Sequence, residues 1–287
     1  MWIDGSFREP GSPAYAATDR GATLGDAVFD TCLCLGGKVV WKDAHLARLS
    51  ASADAFAHVV DPDLLAAAYS ISSRLSTPAV LRVTVSRGPG GRGLTLVRDG
   101  RSQITATLSR LPDGIMFAPQ RLGIARIRRN ETAVTSRHKT AAYLDAIVAL
   151  DHARRDGADD AIFLNTQGEL TCTTVANLFV LRGDTLTTPP ATSGLIEGIT
   201  RGRILAVATD LGLRVNVAPL RPSDLDAADQ VFATNSLRLM IPAPNCGTDQ
   251  LATLSGLVER LSKDIEQETG TQIPPPAWTG ITGYNFE

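Results

Sequence analysis

Lys139 stands in the run Ser136-Arg137-His138-Lys139-Thr140-Ala141-Ala142-Tyr143-Leu144, at the mouth of a stretch with helical apolar spacing that predicts a helix over 140–155. An amine there can condense with a carbonyl if burial beside a cationic group keeps it deprotonated. Further along, Gly198-Ile199-Thr200-Arg201 leads into a second helix predicted over 201–211. The N–H groups of Ile199 and Thr200 and the positive end of that helix dipole suit a dianion, and Thr200 adds a hydroxyl. An amine that captures carbonyls and a helix start that holds phosphate are the two requirements of a phosphorylated aldehyde cofactor. A third constellation, Ser86-Arg87-Gly88-Pro89-Gly90-Gly91-Arg92-Gly93, joins glycines that tolerate unusual φ to two planar guanidinium forks suited to a carboxylate.

The rest of the chain has to position these groups. Its 287 residues, 44% hydrophobic and 20% charged, give a globular balance with ample core material. A formal net charge of −2 without like-charge blocks leaves no electrostatic footprint for nucleic acid or a membrane surface. The start MWIDGSFREP lacks a signal peptide's basic and apolar regions, and no run of about 18 apolar residues is present. Cys32, Cys34, Cys172 and Cys246 fit neither a zinc site nor a disulfide framework, so the expected setting is a reducing cytoplasm and no metal is expected. Cys32 and Cys34, at i and i+2, read as core residues.

Asp4-Gly5 and Gly36-Gly37 read as hairpin turns, the latter between strands 28–35 and 38–41. Asp43 is expected to cap a helix carrying Leu46, Leu49, Ala53 and Phe56, and a second helix runs over 63–75. Strands follow at 80–86 and 103–108. Leu111-Pro112-Asp113-Gly114 marks a domain joint. Beyond it come strands at 122–127, 161–164, 176–181, 185–187, 214–217 and 230–234, a short helix at 223–228, and an extended arm from Pro274. The boundaries are a smaller α+β domain over 1–113, a linker over 114–120, and a larger α/β domain over 121–287 carrying Lys139.

The order of motifs resembles fold-type IV pyridoxal-phosphate enzymes, the group of branched-chain and D-amino-acid aminotransferases and aminodeoxychorismate lyases. The matching runs are Asp19-Arg20-Gly21 … Leu24-Gly25-Asp26 … Val28-Phe29-Asp30, then His45-Leu46-Ala47-Arg48-Leu49, the Lys139-to-Leu144 run, Thr173-Thr174-Val175-Ala176-Asn177-Leu178-Phe179, Leu195-to-Arg201, and Phe232-Ala233-Thr234-Asn235-Ser236-Leu237 … Pro242. The resemblance spans residues 1–245. It implies a two-domain α+β fold like that of D-amino-acid aminotransferases, with pyridoxal 5'-phosphate as cofactor, amino and oxo acids as substrates, and a homodimer. It makes Lys139 the Schiff-base lysine and shuttle of the substrate's α-proton. Arg48, Ile199, Thr200 and Ser236 become phosphate contacts. Tyr143 is placed near the phenolic oxygen, Arg92 is the candidate grip on the substrate carboxylate, and Phe29 and Thr31 line the substrate side. His45 and His138 read as structural.

Two positions depart from the family's pattern. Five residues before Asn177 the family carries a glutamate that pairs with the pyridine nitrogen; here that position is Cys172. The nearest acid, Glu169, would need a register slip that reverses its side of a strand. A carboxylate about 4 Å from a cationic nitrogen contributes roughly 4 kcal/mol at an effective dielectric near 20, whereas a thiol is ordinarily uncharged at pH 7. Ala142 stands where relatives often have asparagine. The expected activity is amino-group transfer, with a D-amino acid favoured through Arg92. Two alternatives stand beside it: a lyase releasing pyruvate and 4-aminobenzoate from aminodeoxychorismate, and a cofactor-binding protein of weak catalysis.

Overall fold

The computed structural model describes residues 1–9, 11–90, 93–96, 98, 100–244, 246, 251–276 and 278. Backbone packing divides the chain into two units, one made of 1–112, 138–142 and 268–271, the other of 113–137, 143–267 and 272–287.

The first unit is built on a six-stranded antiparallel sheet. In chain order its elements are β1 (Trp2–Ile3), β2 (Ser6–Phe7), α1 (Arg20–Leu24), β3 (Ala27–Leu35), β4 (Lys38–Val39), α2 (Lys42–Ala55), α3 (Pro62–Ser70), β5 (Ala79–Ser86) and β6 (Gln103–Arg110). The strand order is β2-β1-β6-β5-β3-β4. Gly36 and Gly37 take φ of 55° and 77°, the positive values a tight β3–β4 turn demands. Because side chains alternate along a strand, Cys32 and Cys34 of β3 and Leu81, Val83 and Val85 of β5 point to one face. There they form a core with Leu49 and Ala53 of α2 and Leu65, Ala68 and Tyr69 of α3. Phe29, Thr31, Arg82 and Thr84 share the opposite face, with Phe29 opposite Thr84 and Thr31 opposite Arg82.

Several expectations change here. Asp43 does not cap α2: Trp41, at φ 53°, turns the chain straight from the hairpin into the helix, and Asp43 lies in the first turn. The second helix is capped by Asp61 and tightens to a 3₁₀ turn over Ile71–Arg74. Lys139 is not at a helix mouth. Residues 139–141 run extended beside β3: Phe29 N donates to Lys139 O and Ala141 N to Ala27 O, both at 2.9 Å. The following helix starts only at Leu144. Backbone bonding to β3 outweighs the helical periodicity, and it places Lys139 with the first unit rather than with 121–287.

The second unit comprises β7 (Leu122–Arg129), α4 (Leu144–Arg155), β8 (Asp160–Asn165), β9 (Leu170–Thr173), β10 (Asn177–Arg182), β11 (Thr185–Thr188), α5 (Ile199–Asp210), β12 (Arg214–Val217), α6 (Pro222–Asp226), β13 (Gln230–Asn235), β14 (Leu239–Pro242) and α7 (Leu251–Thr269). Strands β12-β11-β10-β9-β8-β7 form one path, with β13 on β10 and β14 on β13. The pairs β7–β8 and β11–β12 are parallel. α5 starts two residues earlier than its spacing predicts, so Ile199 and Thr200 are its first turn. α1, β9, β14 and α7 are additional to the expected elements. The segment from Pro274 is less an arm than a packed strap: Trp278 is buried and its Nε1–H donates to Phe117 O at 2.9 Å. Residues 279–287 lie outside the described residues.

Phe179 and Phe232 face each other across β10 and β13, fully buried and stacked at 4.9 Å. Phe232→Ala is expected to lower stability by about 3–5 kcal/mol, read from urea unfolding of purified protein; a change below about 1 kcal/mol would contradict this packing.

Candidate active site

In the first unit the extended segment delivers Lys139 Nζ to 4.5 Å from the Phe29 ring centroid, and the Arg82 guanidinium lies 3.6 Å from the same centroid. Two cations thus share one aromatic ring, a contact that the ring quadrupole favours. Sequence reading singled out Phe29 and Thr31 but missed Arg82. Its signal was register: Arg82 meets Thr31 across β5 and β3, a pairing invisible without the strand alignment.

Arg48 is paired with an acidic side chain of β3. Its Nη2 lies 2.5 Å from Asp30 Oδ1 and its Nε 3.2 Å from Oδ2. Asp30 is fully buried, and His45 Nδ1 stands 3.2 Å from Oδ2, within ion-pair range but off the line a ring N–H needs. Burial alone would raise the Asp30 carboxyl; the His45 ring and the Arg48 cation overcome it and hold the pKa at about 2. Burial and the Asp30 charge push the Cys32 thiol well up. Asp30, Cys32 and His45 offer donor atoms within 4.8 Å of one another. A metal ion there would meet the Arg48 guanidinium at contact distance, so electrostatics disfavours one. His138 is held structurally, against Ser52 Oγ at 3.3 Å and edge-on to Phe56.

Of the two loop arginines, Arg87 is not available to a substrate. Its guanidinium is buried, pairs with Asp26, and donates to the carbonyls of Phe56 and Ala57 at 2.6 Å. Arg20 joins the same carboxylate at 3.0 Å. Arg92 lies outside the described residues.

In the second unit the N-terminus of α5 is laid out for an anion. Gly198 precedes it, and Asn177 reaches across from β10 so that Gly198 N donates to Asn177 Oδ1 at 3.1 Å and Asn177 Nδ2 donates to Ile196 O at 2.8 Å. A Cβ on Gly198 would stand 2.2 Å from Asn177 Oδ1, so only glycine fits this approach. Thr200 is 1% exposed, yet its Oγ1 has no partner within the protein. An orphaned hydroxyl costs roughly 1–3 kcal/mol, and the helix start around it favours negative charge. Ser236, half-buried, follows β13 in a turn whose N–H groups at Leu237 and Arg238 donate to Asn235 Oδ1. Tyr143, also half-buried, immediately precedes α4.

Cys172 pairs with Asn177 across β9 and β10, so the strands are in the register that sets a cysteine there. Glu169 is committed elsewhere: Asn165 Nδ2 donates to its carboxylate at 2.9 Å and Ser193 Oγ at 3.3 Å.

A profile described as amino-transferase class IV matches residues 27–246. The bifunctional aminodeoxychorismate lyase / D-amino acid transaminase of Mycobacterium tuberculosis is 28% identical over 267 residues, covering 83% of this chain and 87% of that protein. The branched-chain-amino-acid aminotransferase of Salmonella typhimurium is 27% identical over 283 residues, covering 93% and 90%. In fold, the chain is similar to the crystal structure of a branched-chain aminotransferase from Thermoproteus uzoniensis, with a TM-score of 0.83 at 21% identity over 94% of this chain and 95% of that one.

The depressed Asp30 pKa makes a signed prediction. Ionised Asp30 stabilises the folded state above the ordinary carboxyl pKa, and that contribution disappears as pH falls through about 2. Urea unfolding of the wild type at pH 5 and pH 2 should differ by roughly 2 kcal/mol on this account. Asp30→Asn should be less stable at pH 5 and lose less on acidification; an identical acid limb in both proteins would refute the assignment.

Proposed function

From a chain that belongs to the class IV aminotransferase family, whose members depend on pyridoxal phosphate, we propose a transaminase that moves an amino group between an amino acid and a 2-oxo acid. The observation that carries the reading is Thr200 Oγ1, a buried hydroxyl without a protein partner in the first turn of a helix whose preceding N–H Asn177 already satisfies. Such a turn fits a phosphate. Pyridoxal phosphate supplies an aldehyde that an amine captures and a ring that draws electrons from the substrate's α-carbon.

The chain's own groups then divide the work. Lys139 anchors the cofactor and carries the α-proton. Ile199 and Thr200 hold the phosphate with Ser236, and Arg48 adds its cation, already half-neutralised by Asp30. Tyr143 serves the phenolic oxygen and Cys172 faces the ring nitrogen. Phe29 and Thr31 line the substrate side, where Arg82 offers positive charge to an acid; Arg92 would grip the carboxylate, and a preference for D-amino acids rests on it alone. A homodimer is supported by Leu144 and Ile147 of α4, apolar yet 71% and 61% exposed in a single copy. The four cysteines are free, and no helix among the described residues is long and apolar enough to cross a membrane; both suit a cytoplasmic setting.

One observation favours a second reading. With Cys172 opposite Asn177 and Glu169 engaged by Asn165 and Ser193, no carboxylate of this strand pair is left for the ring nitrogen. A ring without that charge is a weaker electron sink, which suits elimination of pyruvate from aminodeoxychorismate, or cofactor binding with slow turnover.

Purified protein given pyridoxal phosphate should show a visible absorbance band that borohydride fixes irreversibly, and Lys139→Ala should lack it. Absence of the band in the wild type ends the enzyme reading. D-alanine or branched-chain L-amino acids discharging the band support transamination, whereas pyruvate release from aminodeoxychorismate with the band intact supports the lyase. Cys172→Glu should speed the amino-acid half-reaction; an unchanged rate removes the role given to the missing carboxylate.

A further inference from the structure

Thr234, the penultimate residue of β13, buries a hydroxyl for which the fold has no use. It is 1% exposed, and its Oγ1, like that of Thr200, finds no partner among the described residues. The strand lies between β10 and β14, with Thr234 opposite Asn177 on one side and Met240 on the other. Backbone groups around it are therefore engaged by the ladder. A valine of the same shape would suit such a strand at least as well, since it buries no donor.

Register shows where the hydroxyl faces. Residues directly opposite one another in an antiparallel pair project to the same side of the sheet. Cys172, Asn177 and Thr234 thus form one row across β9, β10 and β13. The middle member marks the direction of the row: its carboxamide accepts from Gly198 N at 3.1 Å and donates to Ile196 O at 2.8 Å, on the lead-in to α5. α5 packs over β13 on that side. The other side is apolar, with Ala233 and Ile241 clustered against Ala176. Thr234 therefore looks toward the turn that bears the orphaned hydroxyl of Thr200, and Ser236 follows it two residues later.

We propose that Thr234 is a further ligand of the anion held at the α5 turn, its hydroxyl donating to a phosphate oxygen from the sheet while Ile199 and Thr200 donate from the helix. This rests on the function proposed above and concerns the second unit alone. A hydroxyl bonded to a charged acceptor is stronger than one bonded to a neutral group. Two buried hydroxyls without acceptors destabilise the ligand-free fold, and an arriving dianion recovers that cost as affinity. The two quantities move in opposite directions when the hydroxyl is removed: the ligand-free protein becomes more stable and the anion binds less tightly. A hydroxyl serving only the fold would move both the same way.

The full chain, freed of cofactor, is titrated with inorganic phosphate and with pyridoxal phosphate, and its urea midpoint is measured without either. Thr234→Val should weaken both ligands by about tenfold while raising the midpoint. Thr234→Ser, which keeps the hydroxyl, should bind within about twofold of wild type. Thr200→Val is the reference for losing one hydroxyl from the same turn. Where inorganic phosphate binds too weakly to titrate, pyridoxal phosphate carries the comparison. A valine variant that binds like wild type overturns the proposal, as does a serine variant as weak as the valine one. A valine variant whose midpoint falls, or that does not fold, overturns it too, because the hydroxyl then serves the fold. Wild type that takes up no cofactor and is not fixed by borohydride defeats the function itself; wild type that does, with Thr200→Val weakened and Thr234→Val unchanged, defeats only the role of Thr234.

Discussion

Strand β3 is buried along nearly its whole length, and a buried strand has to pair every N–H and C=O it carries. On one side β5 does this over eight residues, Ala27 to Cys34. On the other, β4 reaches only Cys34 and Leu35. The amino-terminal end of that second edge, Ala27 to Phe29, is closed by residues 139–141, which return from far along the sequence to bond there. The position of Lys139 is thus a by-product of satisfying β3. The strand that needs a neighbour sets the lysine over Phe29, a residue of the same strand.

The two faces of β3 have correspondingly different electrostatics. Asp30 enters the helix-covered face, where a carboxylate is tolerable only because Arg48 and His45 meet it. Phe29 and Thr31 leave by the opposite face, where positive charge collects. Alternation along one strand separates a sealed ion pair from a face able to deal with acids. Two of the Arg48 donors already serve Asp30, so the charges of Arg48 and Asp30 are compensated within the first unit.

What could be read in advance was what neighbouring residues decide among themselves. Gly36-Gly37 demands its turn wherever it occurs, and the α5 start was readable to within two residues because glycine, a small hydroxyl and an apolar period are local features. Lys139 was misplaced because residues 140–155 do have helical periodicity; the competing bonds come from residues more than a hundred positions earlier. Asp43 resembled a cap, but Trp41 had already turned the chain. Arg82 was missed because it owes its place to a partner fixed by strand register, not to its sequence neighbours. Arg87 was misread in the other direction, since nothing local shows that Asp26 neutralises it.

The first unit is not continuous in sequence. It takes residues 138–142 from the middle of the chain and 268–271 from near its end, and Thr271 Oγ1 would stand only 2.6 Å from a Cβ on Gly36 in the first hairpin turn. On a ribosome, the earliest residues to emerge are therefore among the last to find all their neighbours. Until residues 139–141 have been made, the edge of β3 at Ala27 and Phe29 waits with its hydrogen bonds open, the kind of strand edge that invites pairing with another chain. Vectorial synthesis and native topology run in opposite orders here. The nascent chain's hazard lies in its oldest segment, and arrival of the lysine strand is what closes it.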